Sequence, residues 1–132
     1  MSACRLAVGL VLALFMQGAR AETIDVYDDH GGIVPEYDAK WAALAARNVS
    51  VRIVGPCQSA CTVLLAHIPR ERICVMPEAS FGFHLAKVQR STAMLWNAYQ
   101  PDLRAWINDH GGLTHDFLWL RAPEIFNFFR KC

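Results

Sequence analysis

The chain has 132 residues, of which 54% are apolar and 19% charged, with a formal net charge of +1. That length builds one hydrophobic core and not two, and so apolar a composition excludes a disordered chain. No basic run or stripe is present, which sets nucleic acid aside as a partner.

In chain order, the first predicted element is a leader. Met1 to Arg5 carries one positive charge, Leu6 to Met16 is uncharged and apolar, and Ala19-x-Ala21 supplies the small residues of a cleavage site. This is the order of a secretory signal peptide, and its apolar run is too short to span a bilayer. The reading is therefore a signal peptide over 1–21 and an exported domain over 22–132, periplasmic or secreted, with no membrane span after cleavage. Loss of Arg5 and Arg20 leaves 11 basic residues against 12 acidic ones. No internal repeat of sequence and no low-complexity linker divides the remainder, so a single domain is expected.

Thr23 to Tyr27 alternates polar and apolar residues and predicts a strand. Asp28-Asp29-His30-Gly31-Gly32 predicts a turn. Pro35 suits the first turn of a helix, along which Tyr37, Trp41, Leu44 and Ala45 share one face. Asn48 ends it, and Val49 to Val54 predicts a second strand. Strand, helix, strand in that order make a βαβ unit with parallel strands. After Gly55-Pro56, the segment Ala60 to Ala66 is apolar almost all round, as in a buried helix. Ile73 to Met76 predicts a third strand, ended by Pro77, and Phe81-Gly82-Phe83 a short fourth. From Ser91 helical spacing returns at Leu95 and Tyr99, then at Leu103, Trp106 and Ile107, with Pro101 breaking the segment and Gly111-Gly112 stopping it. Pro123 to Phe129 predicts a last short helix with Phe126 and Phe129 on one side. The fold class is α/β.

Four cysteines remain beyond the leader: Cys57, Cys61, Cys74 and Cys132. An even number in an exported chain predicts two disulfides, in any of three pairings. Cys57–Cys61 with Cys74–Cys132 is favoured, because the first would clamp the turn around Ser59 and the second would tie down a C-terminus otherwise prone to fray. The competing reading joins His67 or His84 to the cysteines around a metal, but the spacing fits no zinc pattern, so no metal is expected. Thiol–disulfide exchange is set aside too, since redox pairs are separated by two residues and Cys57 and Cys61 by three.

Serine hydrolysis needs an exposed hydroxyl, a base within hydrogen-bond reach and N–H groups aimed at the oxyanion. Ser59 stands where strand and loop turn into the buried helix. Gly31-Gly32 ends the preceding parallel strand, and loops at the same ends of neighbouring parallel strands meet in one crevice. His84 ends the short fourth strand and offers an imidazole. Structural readings stand beside these. Ser59 would serve as an N-cap stabilising the helix by roughly 0.5–2 kcal/mol. His84, between Phe83 and Leu85, would be a buried histidine bonded to a carbonyl, and Gly31-Gly32 a turn of positive φ. Cys57 and Cys61 would clamp the loop and narrow access to it. His30, His67, His110 and His115 read as surface or structural, and Trp96, Trp106, Trp119, Phe126, Phe128 and Phe129 as core.

Taken together, Gly31-Gly32, Cys57-x-Ser59-Ala60-Cys61, Arg72, Pro77 and Gly82-x-His84 resemble the ClpP/crotonase superfamily. More closely, they are similar to small exported ClpP-like proteins with a C-x-S-A-C motif. Ser59 and His84 are 25 positions apart and Pro77 and His84 seven, as in that family. The resemblance covers roughly Ile24 to His84, with a vaguer match from Tyr99 to Glu124. It implies a parallel sheet built from repeated ββα/βαβ units, Ser59 as nucleophile and His84 as general base. The N–H groups of Gly32 or Gly31 and of Ala60 would form the oxyanion hole, and no cofactor is needed.

The chain departs from the family where the third member of the triad belongs. Asp116 comes too early and Glu124 too late, so hydrolysis is expected to be slow or absent. The helical handle that stacks Clp proteases into rings is missing as well, and no sealed chamber is expected. Two functional readings result. One is a serine hydrolase or peptidase acting on a peptide or small ester; the other is a non-catalytic domain binding a peptide or protein partner in the same cleft. Acyl-CoA chemistry, the crotonase alternative, is disfavoured by export to a compartment without coenzyme A.

Overall fold

The computed structural model describes residues 21–132. The leader expected over 1–21 lies, apart from Ala21, outside the described residues. The architecture is α/β with a largely parallel arrangement of strands.

Strand β1 (Thr23–Val26) leads through the 27–33 turn into α1 (Val34–Ala46). Pro35 sits in the first helical turn, and Trp41, with Tyr37, Leu44 and Ala45 beside it, faces the core. Asn48, at φ 57°, ends the helix in the left-handed conformation that asparagine tolerates. Strand β2 (Ser50–Ile53) returns parallel to β1, with Ile24 beside Val51 and Val26 beside Ile53. The βαβ unit forms where the sequence predicts it.

The chain then makes a strand that periodicity does not indicate, β3 (Pro56–Gln58). It pairs on one side with the turn after β1: Asp29 N–H donates to the Pro56 carbonyl at 2.8 Å and Gln58 N–H to the Asp29 carbonyl at 3.0 Å. Ser59–Ala66 comes next, as a 3₁₀ helix whose residues from Ala60 to Leu65 are all buried. Eight residues is long for a 3₁₀ helix, whose hydrogen bonds are poorly aligned. Here α1 and the later helix α2 (Gln89–Ala98) both pack on it, so tertiary burial supports the segment.

A short 3₁₀ turn, Arg70–Arg72, leads into β4 (Ile73–Val75), which pairs parallel with β2. Strand β5 (Ser80–Phe83), buried throughout, pairs parallel with β3. The expected helical segment is divided at Pro101 into α2 (Gln89–Ala98) and α3 (Pro101–Asp109), and the Gly112 N–H closes the end of α3 on the Ile107 carbonyl at 2.8 Å.

Strand β6 (Leu118–Arg121), which periodicity does not indicate either, runs antiparallel to β5 and places Trp119 opposite Gly82. Phe81 and Leu120, wholly buried, join the same core. The expected terminal helix is only a 3₁₀ turn, Glu124–Asn127, before the two-residue β7 (Arg130–Lys131) adds to β4. The strands thus form a parallel sheet β1-β2-β4-β7 and a second sheet β3-β5-β6. Of the aromatics read as core, Trp106 and Phe129 are buried, Trp96, Phe126 and Phe128 pack against the core from its rim, and Trp119 is half-buried outside it. No helix among the described residues is long and apolar enough to cross a membrane.

Candidate functional site

The ends of β3 and β5 lie side by side. These strands are parallel, with Gln58 beside Gly82, so the residues that succeed them in the chain emerge at the same edge. Ser59 succeeds β3 and His84 succeeds β5. Ser59 Oγ and His84 Nε2 are hydrogen-bonded at 2.7 Å.

Ser59 has φ 55°, a conformation that non-glycine residues seldom adopt. A residue strained in this way between strand and helix presents its side chain outward instead of folding it over the helix end. The N-cap reading is corrected accordingly: Gln58 occupies the N-cap position, no side chain makes a capping hydrogen bond, and the Ser59 hydroxyl bonds to His84. A disulfide joins Cys57 to Cys61, and both residues are wholly buried. The bridge therefore braces the turn from the core side and does not narrow the entrance. The second disulfide joins Cys74 to Cys132. The four cysteines of the described residues are thus all disulfide-bonded, and those residues contain no cluster of three or more His, Cys, Asp or Glu suited to a metal.

The glycine turn packs directly on Ser59. Gly31 has φ 81°, and a Cβ placed there would lie 2.7 Å from the Gln58 carbonyl oxygen, 2.9 Å from the Ala60 nitrogen and 2.9 Å from the Ser59 Cβ. Only a glycine allows this approach. Its N–H donates to Asp29 Oδ1 at 2.9 Å, closing an Asx turn. The Tyr37 hydroxyl donates to the same oxygen at 2.7 Å. Burial first, and Asp29 second, push the Tyr37 phenol up to about 12, so it stays protonated and keeps donating. The Gly31 N–H is committed to Asp29, while among the described residues the Gly32 N–H has no hydrogen bond, and Gly32 lines the cleft with Ser59 and His84. That cleft has a volume of about 280 Å³ and is completed by Ile33, Val34, Ala86, Lys87 and Ser91.

No carboxylate among the described residues stands behind the imidazole. Glu124 accepts from Trp106 Nε1 at 2.8 Å and lies 3.8 Å from His110 Nε2. Asp116 is exposed, and its hydrogen bonds run through its main chain to Thr114. His84 is supported by other means. Leu85 N–H donates to the Thr114 carbonyl at 2.7 Å, and Phe117 stacks on the imidazole with centroids 4.2 Å apart and planes 21° from parallel. Burial holds the His84 pKa below the ordinary histidine value; a hydrogen bond to the His115 main chain raises it, and the His115 side chain lowers it. An uncharged imidazole at 2.7 Å from a hydroxyl is able to take its proton.

Sequence reasoning missed Asp29, Phe117 and the main chain of His115. Asp29 had a readable signal, an aspartate two positions before a glycine. Phe117 and His115 had none, because their place beside His84 depends on the pairing of β5 with β6. The remaining histidines hold local contacts: His67 Nε2 with Asp38 at 2.6 Å, His110 Nδ1 with the Trp106 carbonyl at 2.7 Å, and His30 with Asp28 at 3.2 Å. Gly82 is a further constraint, since a Cβ there would meet the Trp119 ring at 2.8 Å and the Gln58 Cβ at 2.9 Å.

No family model matches the chain, and no curated protein matches it in sequence. Among solved structures it is similar to a peptidase from Plasmodium falciparum, at 11% identity and a TM-score of 0.48, over 83% of this chain and 75% of that one. It is also similar to a ClpP1 mutant from Listeria monocytogenes, at 15% identity and a TM-score of 0.48, over 83% of this chain and 71% of that one.

Proposed function

We propose that the chain is an exported ClpP-like serine hydrolase acting on a peptide or small ester, with Ser59 as nucleophile and His84 as general base. The observation that carries this reading is the 2.7 Å hydrogen bond between Ser59 Oγ and His84 Nε2 at the shared edge of β3 and β5. In the first step His84 Nε2 takes the hydroxyl proton as Ser59 Oγ bonds to the acyl carbon. The oxyanion is received by the N–H groups of Gly32 and Ala60, and the imidazolium returns its proton to the departing alcohol or amine. Water then releases the acyl group by the same route. No metal or cofactor enters the scheme. Ile33, Val34 and Ala86 suit an apolar acyl group, and Lys87 is the cation lining the cleft. Export agrees with the two disulfides, which persist in oxidising compartments.

A fluorophosphonate probe should label the protein at Ser59, and Ser59→Ala should abolish the label, as read by peptide mass. Labelling elsewhere, or none, sinks the hydrolase reading. The second reading, a cleft that binds a peptide or protein partner without turnover, is favoured by the absence of a carboxylate behind His84. It would survive that result.

The pH dependence of activated-ester hydrolysis carries a sign. The base must be uncharged to accept a proton, and burial lowers the His84 pKa below the ordinary 6.5. The rate should therefore rise with pH through a midpoint below 6.5 and be flat at neutrality. A midpoint above 6.5 would contradict the assignment of His84 as a partly desolvated base.

A further inference from the structure

We infer that Tyr99, just beyond the C-terminal end of α2, is a positioning residue for this site and acts through Thr62. The inference rests on the hydrolase reading above. Thr62 is one of two buried polar residues other than tyrosine or cysteine among the described residues, and Tyr99 is equally enclosed. Thr62 Oγ1 donates to the Ser59 carbonyl oxygen at 2.7 Å. That oxygen has no proton to offer, so the threonine proton is committed there. The 2.6 Å contact between Thr62 Oγ1 and Tyr99 Oη must then be donated by the tyrosine. The order is Tyr99 to Thr62 to the carbonyl of Ser59. Burial raises the Tyr99 pKa above the ordinary tyrosine range, which keeps the proton in place.

The Ser59 carbonyl and the Ala60 N–H belong to one planar trans peptide and point in opposite directions. Anchoring the oxygen from within the core therefore turns the N–H away from the core. On that side stands the glycine turn, where a Cβ on Gly31 would meet the Ala60 nitrogen. The tyrosine ring reaches the other half of the site as well. It packs edge-on against Phe83 with centroids 4.9 Å apart, and Phe83 immediately precedes His84. One side chain at the end of α2 thus holds both the peptide that carries the oxyanion donor and the residue that precedes the base. Core packing alone would need only the ring, and the hydroxyl chain adds orientation.

The test uses the full chain, p-nitrophenyl acetate as substrate and a fluorophosphonate as probe. Tyr99→Phe and Thr62→Val should each slow acylation roughly tenfold or more, toward the loss seen when an oxyanion donor is removed. KM should be unchanged, and circular dichroism should show both variants folded. Thr62→Ser, which keeps the hydroxyl, should restore the wild-type rate. If Thr62→Val fails to fold, Tyr99→Phe, which preserves the ring and its contact with Phe83, decides. Wild-type labelling rates in the folded variants would overturn the inference, as would a Thr62→Ser variant as slow as Thr62→Val. A wild-type chain left unlabelled at Ser59 would overturn the hydrolase reading and this inference with it, so the two failures are told apart.

Discussion

Removing the Cys74–Cys132 bridge, by Cys74→Ala with Cys132→Ala, should lower the unfolding free energy by about 4 kcal/mol in the chain-entropy account of cross-links. The cysteines are 58 positions apart, so the bridge closes a loop over more than half of the described chain. Its far end is otherwise held by the short pairing of β7 with β4 and by Phe129 in the core. Strand β7 has two exposed residues, and Cys132 adds one main-chain bond, from its N–H to the Val75 carbonyl at 3.1 Å. Domains of this kind are stable by only about 5–15 kcal/mol, so the loss would take a large share. Reversible denaturation of the two proteins measures it. Equal stabilities would show that the tail is held by its packing and not by the bridge.

The largest expected effect on activity is the rate deficit of the wild-type chain itself. In a serine–histidine site the acid sets the imidazole tautomer and stabilises the imidazolium. Losing that role costs about 10⁴-fold, or about 5.5 kcal/mol of barrier. Here the imidazole is backed by the His115 main chain and the flat face of Phe117. A main-chain carbonyl is able to orient the ring but carries no full negative charge. Activated-ester hydrolysis that depends on Ser59 should accordingly be slow. Asp116→Asn and Glu124→Gln should leave it unaltered, because neither carboxylate is hydrogen-bonded to His84. Fast turnover that collapses in Asp116→Asn would refute this expectation and name the acid.

Much of the frame was legible in the residues themselves. Alternation over Thr23 to Tyr27, the face made by Tyr37, Trp41, Leu44 and Ala45, and the apolar run after Ala60 each report how one segment meets the core. Pro101 and Asn48 mark breaks through backbone sterics that act locally. The pairing of Ser59 with His84 was suggested by the order and spacing of motifs, and their hydrogen bond is a feature of the folded chain.

Tertiary structure alone decided the rest. Strand β3 is too short to show a period and β6 begins with three apolar residues in a row, so neither alternates; they exist because the 27–32 turn and β5 offer them edges. Phe117 stands on His84 through the β5–β6 register, and Thr62 meets Tyr99 across 37 positions. Whether Ser59 caps a helix or presents its hydroxyl to an imidazole depended on a φ of 55°. The disulfide from Cys57 to Cys61 and the close approach of Gly31 together hold that conformation. Sequence periodicity determines which face a residue buries; the partner on that face is set by packing between segments distant in the chain.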